Sequence, residues 1–172
     1  ETHFNVRVYD DAITEAVRLS HRYISGRQLP DKAISVLDTA CAKVALGQNA
    51  TPALIEGGTR MLERIDAEAA ALTREQNAGA DHGQKLALLR VKRIEATEEQ
   101  TRLQARWERE QSICAEITRM RARLEESGGK GDTAGLRKMV DELREVQGEA
   151  PLVPVQVDGH VVAEIIANWT GI

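Results

Sequence analysis

QKLALLRVKRIEATEEQTRLQARWEREQSICAEITRMRARLEE, residues 84–126, contains neither glycine nor proline. A breaker-free run of this length predicts one continuous helix, about 65 Å long at 1.5 Å rise per residue. Its apolar residues are Leu86 and Leu89, Val91 and Ile94, Leu103 and Trp107, then Ile113, Ile117, Met120 and Leu124. They read as a stripe that drifts around the helix rather than keeping one heptad phase, so successive partners can use successive faces. A long exposed helix is marginal alone, and packing against neighbours must stabilise it.

Those neighbours are legible on both sides. Upstream, Asn77-Ala78-Gly79-Ala80-Asp81-His82-Gly83 is a chain reversal. Before it, Leu62, Ile65, Ala69 and Leu72 run at 3-4-3 spacing, the seam of a coiled coil, with Glu63, Arg64, Asp66, Glu68 and Arg74 suited to solvent. Thr51-Pro52 starts that helix, and Gly57-Gly58 weakens it. Downstream, Ser127-Gly128-Gly129-Lys130-Gly131-Asp132 is a second reversal. Asp132 or Thr133 caps a shorter helix carrying Leu136, Met139, Val140, Leu143 and Val146. The expectation is two antiparallel hairpins that share one long helix.

The flanks differ. Val6-Arg7-Val8-Tyr9 alternates like a brief strand. Asp10 or Asp11 caps a helix whose stripe is Ile13, Ala16, Val17, Tyr23 and Ile24, ended by Gly26. Pro30 opens another, with Ala33, Ile34, Leu37, Ala40, Cys41 and Val44 inward and Gly47 at its end. After the hairpins, Pro151-Leu152-Val153-Pro154-Val155-Gln156-Val157 is extended and ends in an edge strand. Asp158 caps a last helix through Val161, Val162, Ile165, Ile166 and Trp169, closed by Gly171. The predicted fold class is mainly α, with short strands near both ends. The predicted divisions are 1–50, 51–150 and 151–172.

Composition narrows the function. The 27 acidic and 23 basic residues are well mixed and leave a net charge of −4, so no basic face for nucleic acid or anionic membrane is implied. Arg119, Arg121 and Arg123 alternate with other residues ahead of Glu125 and Glu126 and read as a solvated face. No apolar run approaches the ~20 residues of a membrane span. Cys41 and Cys114 are far apart within helical patterns and read as small buried hydrophobes of a reducing compartment. His3, His21, His82 and His160 have no metal-ligand spacing, and there is no CxxC. Gly128-Gly129-Lys130-Gly131 has the wrong spacing for a phosphate-cradling loop and no strand before it, so it is a hairpin tip. With no acidic pair behind an apolar strand either, the chain is not expected to hydrolyse ATP alone. Trp107 has two readings: packing in the helix seam, or an exposed anchor for a partner, since Trp is enriched in interface hot spots.

Three segments carry a family resemblance. His21-Arg22-Tyr23-Ile24, then Arg27-Gln28-Leu29-Pro30-Asp31-Lys32-Ala33-Ile34 and Leu37-Asp38, resemble the helical lid of the first ATPase module of the Hsp100 (ClpB-like) unfoldases. Val157-Asp158, Val161, Ala163-Glu164-Ile165-Ile166-Ala167 and Trp169-Thr170-Gly171-Ile172 resemble the approach to the second module. Leu103-Gln104-Ala105-Arg106-Trp107-Glu108-Arg109-Glu110 resembles the Trp-containing part of the family's middle region. The resemblance implies a piece of a larger AAA+ ATPase: residues 1–50 from the lid, 51–150 a coiled-coil middle domain, 151–172 a linker and the start of the second module.

It further implies that Leu29, Pro30, Asp31 and Lys32 lie on the lid side of a nucleotide site, with ATP bound by the full-length parent and not tightly by this chain. The parent's partners would be its own ATPase modules and neighbouring subunits of a cytoplasmic bacterial homohexamer. Leu37-Asp38-Thr39-Ala40-Cys41-Ala42-Lys43-Val44-Ala45-Leu46 and the short return segment 132–157 look most like ClpV of type VI secretion. That implies contracted sheath tubules as substrate, recognised by parts outside this chain. A ClpB-type disaggregase arm that docks Hsp70 is the first alternative, and a stand-alone coiled-coil scaffold the second.

Overall fold

The computed structural model describes residues 6–171; His3 and Ile172, both used in the sequence reading, lie outside them. In chain order the elements are β1 (Arg7–Val8), α1 (Asp10–Tyr23), α2 (Asp31–Gly47), α3 (Ala53–Asn77), α4 (Gly83–Glu126), α5 (Thr133–Gln147), β2 (Gln156–Val157) and α6 (Gly159–Thr170). The mainly α expectation with short strands near both ends holds. The chain forms two compact units, Glu1–Ala50 with Val153–Ile172, and Thr51–Leu152.

The first unit is discontinuous in sequence. β1 and β2 pair in parallel, Arg7 opposite Gln156 and Val8 opposite Val157, and the Tyr9 amide donates to the Val157 carbonyl at 3.0 Å. The core below them gathers Val36, Ala40 and Val44 from α2, Val162, Ile165 and Ile166 from α6, and Ala12 and Ala16 from α1. The sequence placed Ile13 and Val17 on the inward stripe of α1. They are 46% and 44% exposed; Ala16 of the same stripe is buried as foreseen, with Ala12 and Ser20 inward beside it. Small side chains at i, i+4 and i+8 let α2 and α6 approach the α1 backbone, and larger residues on that line would hold them off. Asp158 caps α6 through the Val161 amide, and Gly171 ends it in a left-handed conformation at φ 72°. Asp11 accepts from the Ala12 and Gly159 amides, tying the starts of α1 and α6 together.

In the second unit α3 and α5 each pair with α4. Ile65 and Leu72 of α3 are buried with Leu89 of α4, and Ala69, Leu86 and Ala96 pack partly buried around them. The seam residues foreseen on α3 are therefore inward. On α4 the foreseen stripe needs correction, because Val91 and Ile94 are 52% and 59% exposed. Many of the buried and partly buried residues follow a 3-4 repeat: Leu86 and Leu89, then Ala96, Gln100, Leu103, Trp107, Glu110, Cys114, Ile117, Arg121 and Leu124, with Ile113 buried and Met120 partly buried beside it. Ile113, Ile117, Met120 and Leu124 are thus inward as foreseen. The repeat is hidden in the sequence because Gln100, Glu110 and Arg121 stand at positions where an apolar residue is expected, and Arg93 falls on its line yet is exposed.

Nor does Gly57-Gly58 interrupt α3, which runs through both. A Cβ on Gly58 would collide with the side-chain oxygen of Gln100, whereas one on Gly57 would meet nothing within 4 Å. Gly58 thus leaves room for the Gln100 side chain. At the second reversal Gly128 and Gly129 adopt φ 63° and 83°, and Asp132 caps α5 through the Gly135 amide at 2.7 Å.

Candidate functional site

The segment joining α1 to α2 carries the residues that the sequence assigned to a nucleotide lid. Leu29 is 40% exposed, and Pro30 and Asp31 are exposed at the start of α2. One turn on, Ile34 is 58% exposed, so Leu29, Pro30 and Ile34 form an apolar ledge around a helix N-terminus. Ile34 was not among the site residues read from the sequence, because its apolar spacing put it in the core. Lys32 behaves differently from its neighbours. It is 6% exposed, and its ammonium donates to the Ile24 carbonyl at 3.1 Å. A buried ammonium needs acceptors, and here it holds the connecting loop onto α2. The Arg27 guanidinium lies 3.5 Å from the Ser35 hydroxyl. Arg27, Lys32, Asp38, Tyr23 and Trp169 line an open groove of about 760 Å³. Trp169 is 47% exposed.

The other concentration of unusual chemistry lies midway along α4. Trp107 sits on the inward repeat, half-buried, and its indole N–H is buried without a hydrogen-bond partner among the described residues. Gln100 donates to the Ile55 carbonyl and to the Thr59 hydroxyl, both at 3.0 Å, and so holds the first turns of α3. Ten residues further, Glu110 is fully buried. Its carboxylate accepts from Arg106 at 2.9 Å, from the Leu152 amide at 2.8 Å and from Gln147 at 3.4 Å. Arg106 also donates to the carbonyls of Gln147, at 2.8 Å, and Ala150. The places where the chain enters and leaves this unit are thus both fastened to about 15 Å of one helix.

Sequence reading missed Gln100, Arg106 and Glu110. The signal was present: a Glu three residues after Trp107 and four before Cys114, on the inward repeat, with an Arg one turn earlier. Below Glu110, burial pushes the Cys114 thiol up to about 11, and the Glu110 charge adds to the effect. Among the described residues no group of His, Cys, Asp and Glu could hold a metal ion, and no helix is long and apolar enough to cross a membrane.

A model of the AAA lid domain family matches residues 1–89. The AAA+ ATPase ClpV1 of Pseudomonas aeruginosa is 35% identical over 193 residues, covering all of this chain and 21% of that protein. The chaperone ClpB of Yersinia enterocolitica is 36% identical over 181 residues, covering all of this chain and 20% of that protein. The solved S. cerevisiae Hsp104–ADP complex superposes with a TM-score of 0.65 at 26% identity, covering 99% of this chain and 28% of that one. The chain spans about a fifth of the length of these curated relatives. It belongs to the AAA lid family and to the Hsp100/Clp, ClpB-like group of AAA+ ATPases.

Proposed function

We propose, with that membership as premise, that this chain is the lid and middle region of a hexameric ATP-driven Clp unfoldase, and that Thr51–Leu152 is its regulatory arm. The observation that carries the reading is the insertion of a two-hairpin unit into a discontinuous helical one. Residues 1–50 supply the lid. Residues 151–172 return from the arm, contribute β2 and α6 to the lid's sheet and core, and lead toward the second module. An arm inserted in this way is joined to the lid by two covalent crossings, so a partner that engages the arm biases the lid through both.

In this reading Leu29, Pro30 and Ile34 offer apolar surface to the adenine of ATP held by the parent's large subdomain. Asp31 begins α2 beside it, and Lys32 fixes the loop from within. The nucleotide is bound and hydrolysed by the parent, and this chain alone hydrolyses none. Among Hsp100 activities the reading favours disassembly of contracted type VI sheath tubules in the bacterial cytoplasm. It rests on the ClpV-like stretch 37–46 and on α5, which at 15 residues leaves little room for a long docking hairpin. The similarity to Yersinia ClpB supports the competing reading, a disaggregase arm that receives Hsp70.

The test is to incubate the full-length parent with ATP and contracted sheath tubules, following their loss by light scattering, and in parallel with heat-aggregated protein and Hsp70. Loss of tubules without rescue of aggregates supports the secretion ATPase. Rescue of aggregates with intact tubules replaces it with the disaggregase. Full ATPase and remodelling activity after excision of 51–152 would overturn the regulatory role of the arm in either.

A further inference from the structure

We propose that Arg106 and Glu110 form a clasp that sets where the chain leaves the arm, and that this clasp opens without unfolding the α4–α5 seam. The pair grips the return segment with both polarities. The guanidinium takes carbonyl oxygens at Gln147 and Ala150, and the carboxylate takes the Leu152 amide and the Gln147 side chain. Along 148–152 the backbone leaves helical structure: Gly148 turns it out of α5 at φ 56°, its own amide donating to the Arg144 carbonyl, and Pro151 lacks an amide hydrogen.

The placement of the charges argues for positioning rather than stability. Glu110 occupies an inward seam position between Trp107 and Cys114, where a well-packed apolar residue commonly gives equal or greater stability than a buried ion pair. What an apolar residue cannot do is hold a specific amide and two specific carbonyls. Removing Arg106 takes this counter-charge from a carboxylate with no solvent exposure, whereas Arg106 itself is partly exposed, so the two single replacements are not equivalent. The clasp goes beyond the regulatory reading above and does not depend on it.

The test is residue-resolved hydrogen exchange on this chain. Replacing both partners with apolar residues, Arg106→Met with Glu110→Leu, keeps the seam packed and removes the grip. The Leu152 amide should then exchange about ten- to a hundredfold faster, with Ile117 and Leu143 within about twofold of the parent. Arg106→Lys keeps the charge but cannot reach carboxylate and carbonyls together. It should speed Leu152 exchange with the melting temperature unchanged. Unaltered Leu152 exchange in the double variant would mean that the buried Leu152 side chain holds the segment, and would sink the proposal. Equal acceleration at Leu152, Ile117 and Leu143 would make the pair an ordinary part of the seam and overturn it too.

Discussion

Along the stretch paired with α3, helix α4 buries Leu89; along the stretch paired with α5 it buries Glu110, Ile113, Cys114 and Ile117. The first hairpin closes with exposed charges, Arg93 to Asp66 at 2.6 Å and Lys85 to Glu68 at 3.9 Å. The second carries the cross-helix pair Arg109 to Glu142 at 2.6 Å over a deeper apolar seam. One helix is therefore held by two kinds of interaction. Apolar burial offers no charge for salt to screen, while exposed ion pairs weaken as salt is added. The first hairpin is expected to loosen under mild conditions that leave the second intact.

The sharpest way to break this contrast is truncation. Ile117→Ala, at a position with no solvent exposure, should cost about 2–5 kcal/mol in denaturant unfolding. Ile94→Ala, at a residue 59% exposed on the first hairpin, should stay within about 0.5 kcal/mol. Comparable losses at both sites would erase the distinction. The next effect follows from Cys114. Its thiol titrates near 11 in the fold against 9.0 ordinarily, so the folded state keeps its proton longer than the unfolded one. That contribution is fully present below pH 9.0 and is lost as pH rises to about 11, up to ~2 kcal/mol. A Cys114→Val variant, compared by pH-dependent unfolding, should lack this part of the alkaline decline.

Two adjacent glycines give a finer test. Gly57→Ala should stabilise α3 by about 1 kcal/mol through helix propensity. Gly58→Ala should gain nothing, since its methyl group displaces Gln100 from the Ile55 carbonyl and the Thr59 hydroxyl. Thermal unfolding of the two variants side by side decides it. The smallest effect belongs to Asp66. Arg93, by hydrogen bond and charge, holds its carboxyl below the usual carboxylate range. The small stabilisation is present above the ordinary carboxylate range and fades as pH falls through the lowered value. Asp66→Asn should abolish that pH dependence at low salt, and about 1 M salt should abolish the difference between variant and parent.

Local rules carried the sequence reading where one residue decides one feature. Asp132 and Asp158 cap their helices, Gly171 closes α6, and Leu62, Ile65, Ala69 and Leu72 face α4. The reading fell short where a partner distant in the chain decides. Ala12 is inward because α2 and α6 lie against α1, and nothing in α1 alone prefers it to Ile13 and Val17. The α4 repeat was obscured by the polar residues Gln100, Glu110 and Arg121 at inward positions, which periodicity counts as breaks. Glu110 is invisible to any rule that equates charge with solvent until its contacts with Arg106, Gln147 and Leu152 are known. Lys32 is a related case in the other unit: nothing in its sequence neighbours foretells that its ammonium turns inward to the Ile24 carbonyl.

The pairing of β1 with β2 has a kinetic consequence. Asp11 and Gly159, which join the starts of α1 and α6, are 148 residues apart in the chain. During synthesis the segment bearing β1, α1 and α2 must wait roughly 10–30 s for its remaining strand and helix to emerge. Over that interval Ala12, Ala16 and Val36 lack the partners that will cover them. The hairpins between, built from contacts close in sequence, form early, and by folding they shorten the loop that must close. The arm is then the first of the two units to mature, and it delivers the last pieces of the unit that was begun before it.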